Sequence, residues 1–128
     1  MRLNPDLIDD IVIIRDVAVQ AISSSNYKIS IVKDATIAGA VWANVDATSS
    51  VQYNSNASAT MSGGTNVFID YFASTNQGSG KINLGPDLFK YQFERNGLTD
   101  TPLTMTIAIQ ASTNTSNVVA SVSWEEFS

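Results

Sequence analysis

The sequence predicts an all-β protein, an antiparallel two-sheet β-sandwich of jelly-roll type with about eight strands. Apolar and polar residues alternate over many short runs, and no window of a dozen residues shows helical spacing. Polar segments rich in Gly, Asn and Ser separate the runs. A single sheet would leave its apolar face in water, so two layers are expected. At 128 residues the chain has the size of one domain. We expect residues 11–128 to form the sandwich, and residues 1–10 to form an N-terminal arm or a single helical turn.

The alternation places the strands in order along the chain. In residues 27–33, Tyr27, Ile29 and Ile31 share one face, as in a half-buried strand. The aromatic run after Pro86 could begin a helix, but its aromatic residues alternate with polar ones, so a strand is predicted. The other predicted strands are 11–22, 41–45, 51–54, 66–72, 103–110 and 118–124. The predicted turns and loops are 23–26, 46–50, 62–65, 75–80, 96–97 and 112–117.

One strand, residues 66–72, is apolar on both of its faces. Val67, Ile69 and Tyr71 lie on one side, and Phe68, Asp70 and Phe72 lie on the other. The pattern predicts a strand that is covered on both sides, either central in a sheet or at an interface between molecules. Phe68 and Phe72 are therefore candidate interface contacts.

The two tryptophans give different predictions. Trp42 lies on the polar side of its strand, so it is exposed for a ligand, buried against another subunit, or packed under a loop. Trp124 shares a face with Val118, Ala120 and Val122, which favours packing in the core.

Composition excludes several functions. The net charge is -5 and only seven Lys and Arg are present, scattered along the chain, which argues against nucleic acid as a partner. The chain has no Cys and no His, so it lacks thiolates and the commonest general base and metal ligand. The apolar stretch at residues 11–14 is far too short to span a membrane, so no membrane association is predicted. Neutral hydrogen-bonding residues dominate instead: 16 Ser, 11 Thr and 11 Asn.

No catalytic, cofactor-binding or metal-binding residues are predicted, and the chain is not expected to be an enzyme. A glycosidase needs two carboxylates that flank a sugar. The acidic pairs at residues 9–10 and 125–126 are sequence neighbours, which point to opposite faces of a strand. Glu125 and Glu126 are expected to be solvated charges that end a strand. Distant acids such as Asp70 and Glu94 could still meet in space, which keeps a glycosidase as the least favoured alternative.

Several short motifs occur in an order that suggests a family. They are Tyr27-Lys28-Ile29-Ser30-Ile31, Ala38-Gly39-Ala40-Val41-Trp42, Ser50-Val51-Gln52-Tyr53, Ser62-Gly63-Gly64-Thr65 and Ser121-Val122-Ser123-Trp124-Glu125. This order resembles a domain at the carboxyl end of many tailed-bacteriophage structural proteins, both tail-fibre-like and head-associated. The sequence departs from that pattern in its aromatic-rich segment 87–95 and in its short amino-terminal part.

The resemblance implies a non-enzymatic virion protein, made in the host cytoplasm and carried in the particle as a capsid decoration, head-associated or tail-fibre component. It implies assembly with other virion proteins and with itself, with a trimer favoured. The alternative is a receptor- or carbohydrate-binding module at a fibre tip, in which Trp42 and loop residues near Asn76 contact a host-surface glycan.

Overall fold

The computed structural model describes residues 1–74, 81–83, 92–93, 95–113 and 116–128. These residues form antiparallel strands and one 3-10 turn, Pro5–Leu7. The strands are β1 (Arg2–Leu3), β2 (Ile11–Ala21), β3 (Ser25–Lys33), β4 (Thr36–Ala38), β5 (Trp42–Asn44), β6 (Val51–Asn54), β7 (Thr60–Ser62), β8 (Thr65–Ser74), β9 (Lys81–Asn83), β10 (Gln92–Phe93), β11 (Met105–Ala111) and β12 (Val118–Phe127). The prediction of an antiparallel all-β sandwich is confirmed.

Two main sheets form the sandwich. In the first, the long strand β2 pairs with β12 along one edge and with β10 and β9 along the other. In the second, β3 lies between β11 and β8. Two smaller groups, β1-β6-β5 and β4-β7, complete the described fold.

The core lies between β2 and β3. The inward residues of β3 are Tyr27, Ile29 and Ile31, all at most 2% exposed, as their alternation predicts. On β2 the inward set passes from Ile14 to Val17, because the register with β12 shifts between Ser123 and Trp124 and leaves Arg15 as an extra residue. This bulge keeps both ends of an eleven-residue strand facing the core.

Residues 1–10 are packed into the fold. β1 pairs with β6, and Leu3 is fully buried in the core cluster. The Asn4 side chain accepts a hydrogen bond from the Asp6 amide (3.1 Å) and caps the 3-10 turn. The backbone amide of Asn4 donates to the Ser50 carbonyl (2.8 Å), which connects this segment to the residue before β6.

The structure differs from the sequence prediction in strand number: the described residues form twelve strands rather than about eight. The additional strands have two or three residues, too few for alternation to reveal, and long-range pairing alone defines them. The predicted strand 41–45 is reduced to β5, in which Val41 and Val45 flank the strand and are exposed and Trp42 is half-buried. Trp124 is half-buried and packs against the core cluster, as predicted. Most of the aromatic run 89–93 lies outside the described residues.

Of the two alternatives predicted for strand 66–72, a central position in a sheet is wrong, and an interface between molecules stays a prediction. Its counterpart β8 is not central: among the described strands, β3 is its single neighbour, so β8 forms an edge of the sheet. On its outer side Ile69 and Tyr71 are 45% and 69% exposed. The apolar pattern on both faces therefore marks an uncovered surface.

Candidate interaction surface

Phe68 and Phe72 lie on the side of β8 that faces the core. Both are half-buried and pack against the core cluster. The Phe72 ring stacks on Tyr27, with centroids 5.1 Å apart and planes inclined by 15°. The Tyr27 hydroxyl donates to the Ser23 carbonyl (2.6 Å), which holds the Tyr27 ring in place. Phe72 is thus held by the core and still reaches solvent at the sheet edge.

The outer side of β8 carries the exposed apolar residues. Ile69 and Tyr71 alternate with Phe68 and Phe72, and their cross-strand partners on β3 are Ser30 and Lys28. We use the name β8 flank for the side chains of Val67, Phe68, Ile69 and Phe72. These side chains come from both faces of one edge strand and form an apolar border to the sheet.

Asp70 interrupts this border. It pairs in register with the buried Ile29 but is itself exposed, because β8 lies at the edge. Its carboxylate accepts a hydrogen bond from the Tyr71 amide (2.8 Å). That amide is therefore not free to pair with a further strand, and a charge at this place disfavours open-ended strand addition.

A groove lies on the outer face of the β11-β3-β8 sheet, at the end where β3 begins. Its volume is about 570 Å³, within the range of small-molecule sites. A second depression of about 230 Å³ continues along the same face and shares Lys28 and Gln110 with the groove. The groove residues are Asn26, Tyr27, Lys28, Tyr71, Phe72, Ala73, Gln110, Ala111 and Ser112.

No sequence motif indicates this groove. The alternation of β3 and β11 indicates that Lys28 and Gln110 face outward, but only the pairing register places them side by side with Tyr71. Asn76, the loop residue proposed to contact glycan, lies outside the described residues.

Trp42 occupies a different sheet. The Arg2 guanidinium lies over its ring at 4.7 Å from the centroid, in cation–π geometry. The Arg2 Nε donates to Gln52 Oε1 (2.9 Å), and Gln52 Nε2 donates to Asn44 Oδ1 (2.7 Å). One face of the half-buried indole is therefore covered by an intramolecular partner that is itself fixed.

Glu126 is exposed near the end of β12, as its prediction as a solvated charge requires, and it also belongs to a hydrogen-bonded junction. It accepts hydrogen bonds from the Ser49 hydroxyl, the Ser50 amide and the Trp124 indole, each 2.7 Å long. The Ser50 hydroxyl donates to Asp10, so the junction joins β12, the loop before β6 and the segment before β2. Glu125, on the opposite face of β12, forms an exposed ion pair with Arg15.

The hydrogen bonds at this junction change the acidity of Glu126. Burial raises the pKa of the Glu126 carboxyl, but hydrogen bonds from Ser50, Trp124 and Ser49 outweigh it and lower the pKa below its ordinary value. The carboxylate is therefore stabilised in its charged form. Its role in the structure is to hold three segments together.

Within the described part of the chain, no group of three or more acidic side chains is placed to hold a metal ion. No helix in those ranges is long and apolar enough to cross a membrane. No family model, curated protein or solved structure matches this chain.

Proposed function

We propose that this chain is a non-enzymatic structural protein of a bacteriophage virion, a capsid decoration, head-associated or tail-fibre component that assembles with itself and with other virion proteins. The observation that carries the proposal is the β8 flank, an edge strand with large apolar side chains on both faces. The phage context rests on the order of sequence motifs, and the favoured trimer rests on the same resemblance.

Exposed apolar area on the β8 flank favours association. Burying it is worth about 25 cal/mol per Å², and contiguous exposed apolar patches on soluble proteins commonly mark interaction sites. The β8 flank combines Ile69, 45% exposed, with the half-buried rings of Phe68 and Phe72. Contact with a second copy along this edge would cover Ile69 on the outer side of β8 and Phe68 and Phe72 on the inner side.

Asp70 favours a closed assembly over an open-ended one. Its carboxylate engages the Tyr71 amide, so continued strand pairing through β8 would need this hydrogen bond to break. Contact through side chains does not require that change. The flank therefore suits a defined oligomer, which a virion component needs, rather than a growing fibril.

The composition of the chain supports a structural role. Ser, Thr and Asn make up 38 of the 128 residues, and charged residues only 15%, against about 25% in typical soluble domains. Neutral hydrogen-bonding side chains carry a smaller desolvation cost than charges when a neighbouring subunit covers them.

The test is the oligomeric mass of an Ile69→Ser variant in sedimentation velocity. Ile69 is partly exposed, so its replacement affects assembly more than folding. Val119→Ser is the matched control, because Val119 is 54% exposed on β12 in the other main sheet. Phe68→Ser and Phe72→Ser are less suitable, since both rings also pack on the core.

We expect the wild-type chain and Val119→Ser to form the same oligomer, and Ile69→Ser to dissociate at concentrations where they remain assembled. Equal association of Ile69→Ser and Val119→Ser would contradict the assignment of the β8 flank. Circular dichroism of each variant confirms that the compared chains are folded.

A further inference from the structure

We infer that the outer face of the β11-β3-β8 sheet carries a binding site for an acidic oligosaccharide, in the groove beside Tyr71. This inference goes beyond an assembly role, and it concerns the face of the sheet rather than its edge. Tyr71 is not part of the β8 flank, and Lys28 and Gln110 lie on β3 and β11 rather than on the edge strand.

The register explains the shape of the groove. Tyr71, Lys28 and Gln110 form one row across β8, β3 and β11. Ala73 and Asn26 pair in the next row of outward residues, and Ser112 completes it through a hydrogen bond from its amide to the Asn26 carbonyl (2.9 Å). Because residues two apart share a face, these two rows form one surface over the backbone of the inward row. The adjoining depression lengthens it along the sheet, which suits a chain of sugar rings.

The residue types match the chemistry of a sugar. A pyranose ring has an apolar face of C–H groups that packs on an aromatic ring, and hydroxyls around its rim that need hydrogen-bond partners. Tyr71 is 69% exposed and supplies the aromatic ring. The side chains of Asn26, Gln110 and Ser112 supply donors and acceptors.

Lys28 points to an acidic sugar. It is the one charged residue among the described groove residues, in a chain whose net charge is -5. Within the described residues, no ion pair engages Lys28. A carboxylate on the sugar would complement the ammonium, whereas covering Lys28 with an apolar protein surface would leave a desolvated, unpaired charge.

Trp42 is a poorer platform for a sugar. The Arg2 guanidinium already covers one face of its ring, and Arg2 is held by Gln52. Stacking a sugar on that face would first require breaking both interactions. The groove at Tyr71 has no such covering group among the described residues.

The experiment titrates the full chain with acidic oligosaccharides, tri-galacturonic acid and sialyllactose, and with the neutral maltotriose and lactose, by isothermal titration calorimetry. The groove variants are Tyr71→Ala and Lys28→Gln. The matched controls are Tyr53→Ala, an exposed tyrosine on β6, and Lys33→Gln, at the opposite end of β3.

We expect at least one acidic saccharide to bind and the neutral ones to bind more weakly. Lys28→Gln should raise the Kd about tenfold or more, the scale of one charge-assisted hydrogen bond. Tyr71→Ala should raise it about two- to tenfold through loss of the aromatic contact, while the controls leave the Kd unchanged. Lys28→Gln should also remove the preference for acidic over neutral sugars. Absence of binding by both acidic saccharides at millimolar concentration, or equal losses in the groove and control variants, would overturn the inference.

The oligomeric mass of the same samples separates this inference from the proposed function. A chain that assembles but binds no saccharide refutes the groove alone. A monomer that binds acidic sugar refutes the β8 flank and supports the groove.

Discussion

Replacing Gly64 by alanine should destabilise the protein strongly, because Gly64 sets the entry of the chain into β8. Its φ is +81°, a conformation that favours glycine. A Cβ at Gly64 would lie 2.7 Å from Val32 Cγ1 and 2.8 Å and 2.9 Å from the Ala35 amide nitrogen and Cα. The neighbouring Gly63 has φ +66°, but a Cβ there would meet nothing within 4 Å. A comparison of Gly63→Ala with Gly64→Ala therefore separates the cost of the backbone conformation from the cost of steric contact.

The expected magnitudes follow from these two terms. A left-handed conformation costs an alanine about 1–2 kcal/mol, and the lower entropy of the unfolded alanine chain offsets about 0.4–1 kcal/mol of this. Gly63→Ala should therefore lower the free energy of unfolding by about 1 kcal/mol. Gly64→Ala must also displace backbone atoms of Ala35, which adds about 1–3 kcal/mol. We expect a total loss of about 2–4 kcal/mol.

Urea unfolding followed by tryptophan fluorescence measures both losses. Comparable m-values for the three proteins are required for the comparison, because they show that the same surface becomes exposed. If Gly64→Ala lowers the free energy of unfolding no more than Gly63→Ala does, the close approach of Gly64 to Ala35 is refuted. That result would also refute the described path of the chain through Gly64 into β8.

Three further predictions concern the rest of the fold. Glu126 has a lowered pKa, so its contribution to stability is present above its ordinary value of 4.5 and is lost as the pH falls through the lower folded value. Glu126→Gln should therefore lower the urea midpoint at pH 7, with a difference from wild type that shrinks in acid; a pH-independent difference would contradict this reading. Leu3→Ala should cost about 2–5 kcal/mol, whereas Leu98→Ala, at a residue 97% exposed, should cost little; equal effects would show that residues 1–10 are not part of the core. Tyr27→Phe should lower the free energy of unfolding by about 0.5–1.5 kcal/mol through loss of the hydrogen bond to the Ser23 carbonyl, and unchanged stability in thermal unfolding would exclude that contribution.

Local alternation was sufficient to predict the strands that carry most of the core. The period of two in Tyr27, Ile29 and Ile31 gives the buried face of β3, and the same pattern gives the inward side of β11, where Met105 is 2% exposed. These strands have one apolar and one polar face, so burial leaves little choice of orientation. The tendency of Gly63 and Gly64 to form a turn is likewise local, and both adopt positive φ.

Features that depend on pairing between distant residues could not be predicted. β1 pairs with β6 about fifty residues away, and two residues are too short for a periodic signal. Glu126 appears in sequence as a terminal charge, and only folding brings Ser49 and Ser50 to it. In β8 both faces are apolar, so alternation does not indicate which one meets the core. Ile69 and Tyr71 instead of Phe68 and Phe72 prove to be the more exposed pair.

The groove shows the same limit. About forty residues of the chain separate Lys28 from Tyr71, and about forty more separate Tyr71 from Gln110. No sequence motif contains all three. They become neighbours because β8 and β11 both pair with β3 in one register. A slip of one residue in either pairing would turn those side chains to the other face. The site is thus a consequence of register, which single-sequence patterns do not encode.

Light scattering of the purified wild-type chain over a hundredfold range of concentration tests the self-assembly proposal most directly. Assembly through the β8 flank predicts a closed oligomer with a mass that is a small multiple of the 13.7 kDa chain, a trimer by the resemblance. A mass of one chain at every concentration would contradict it, because the apolar edge would then have no partner among copies of the chain.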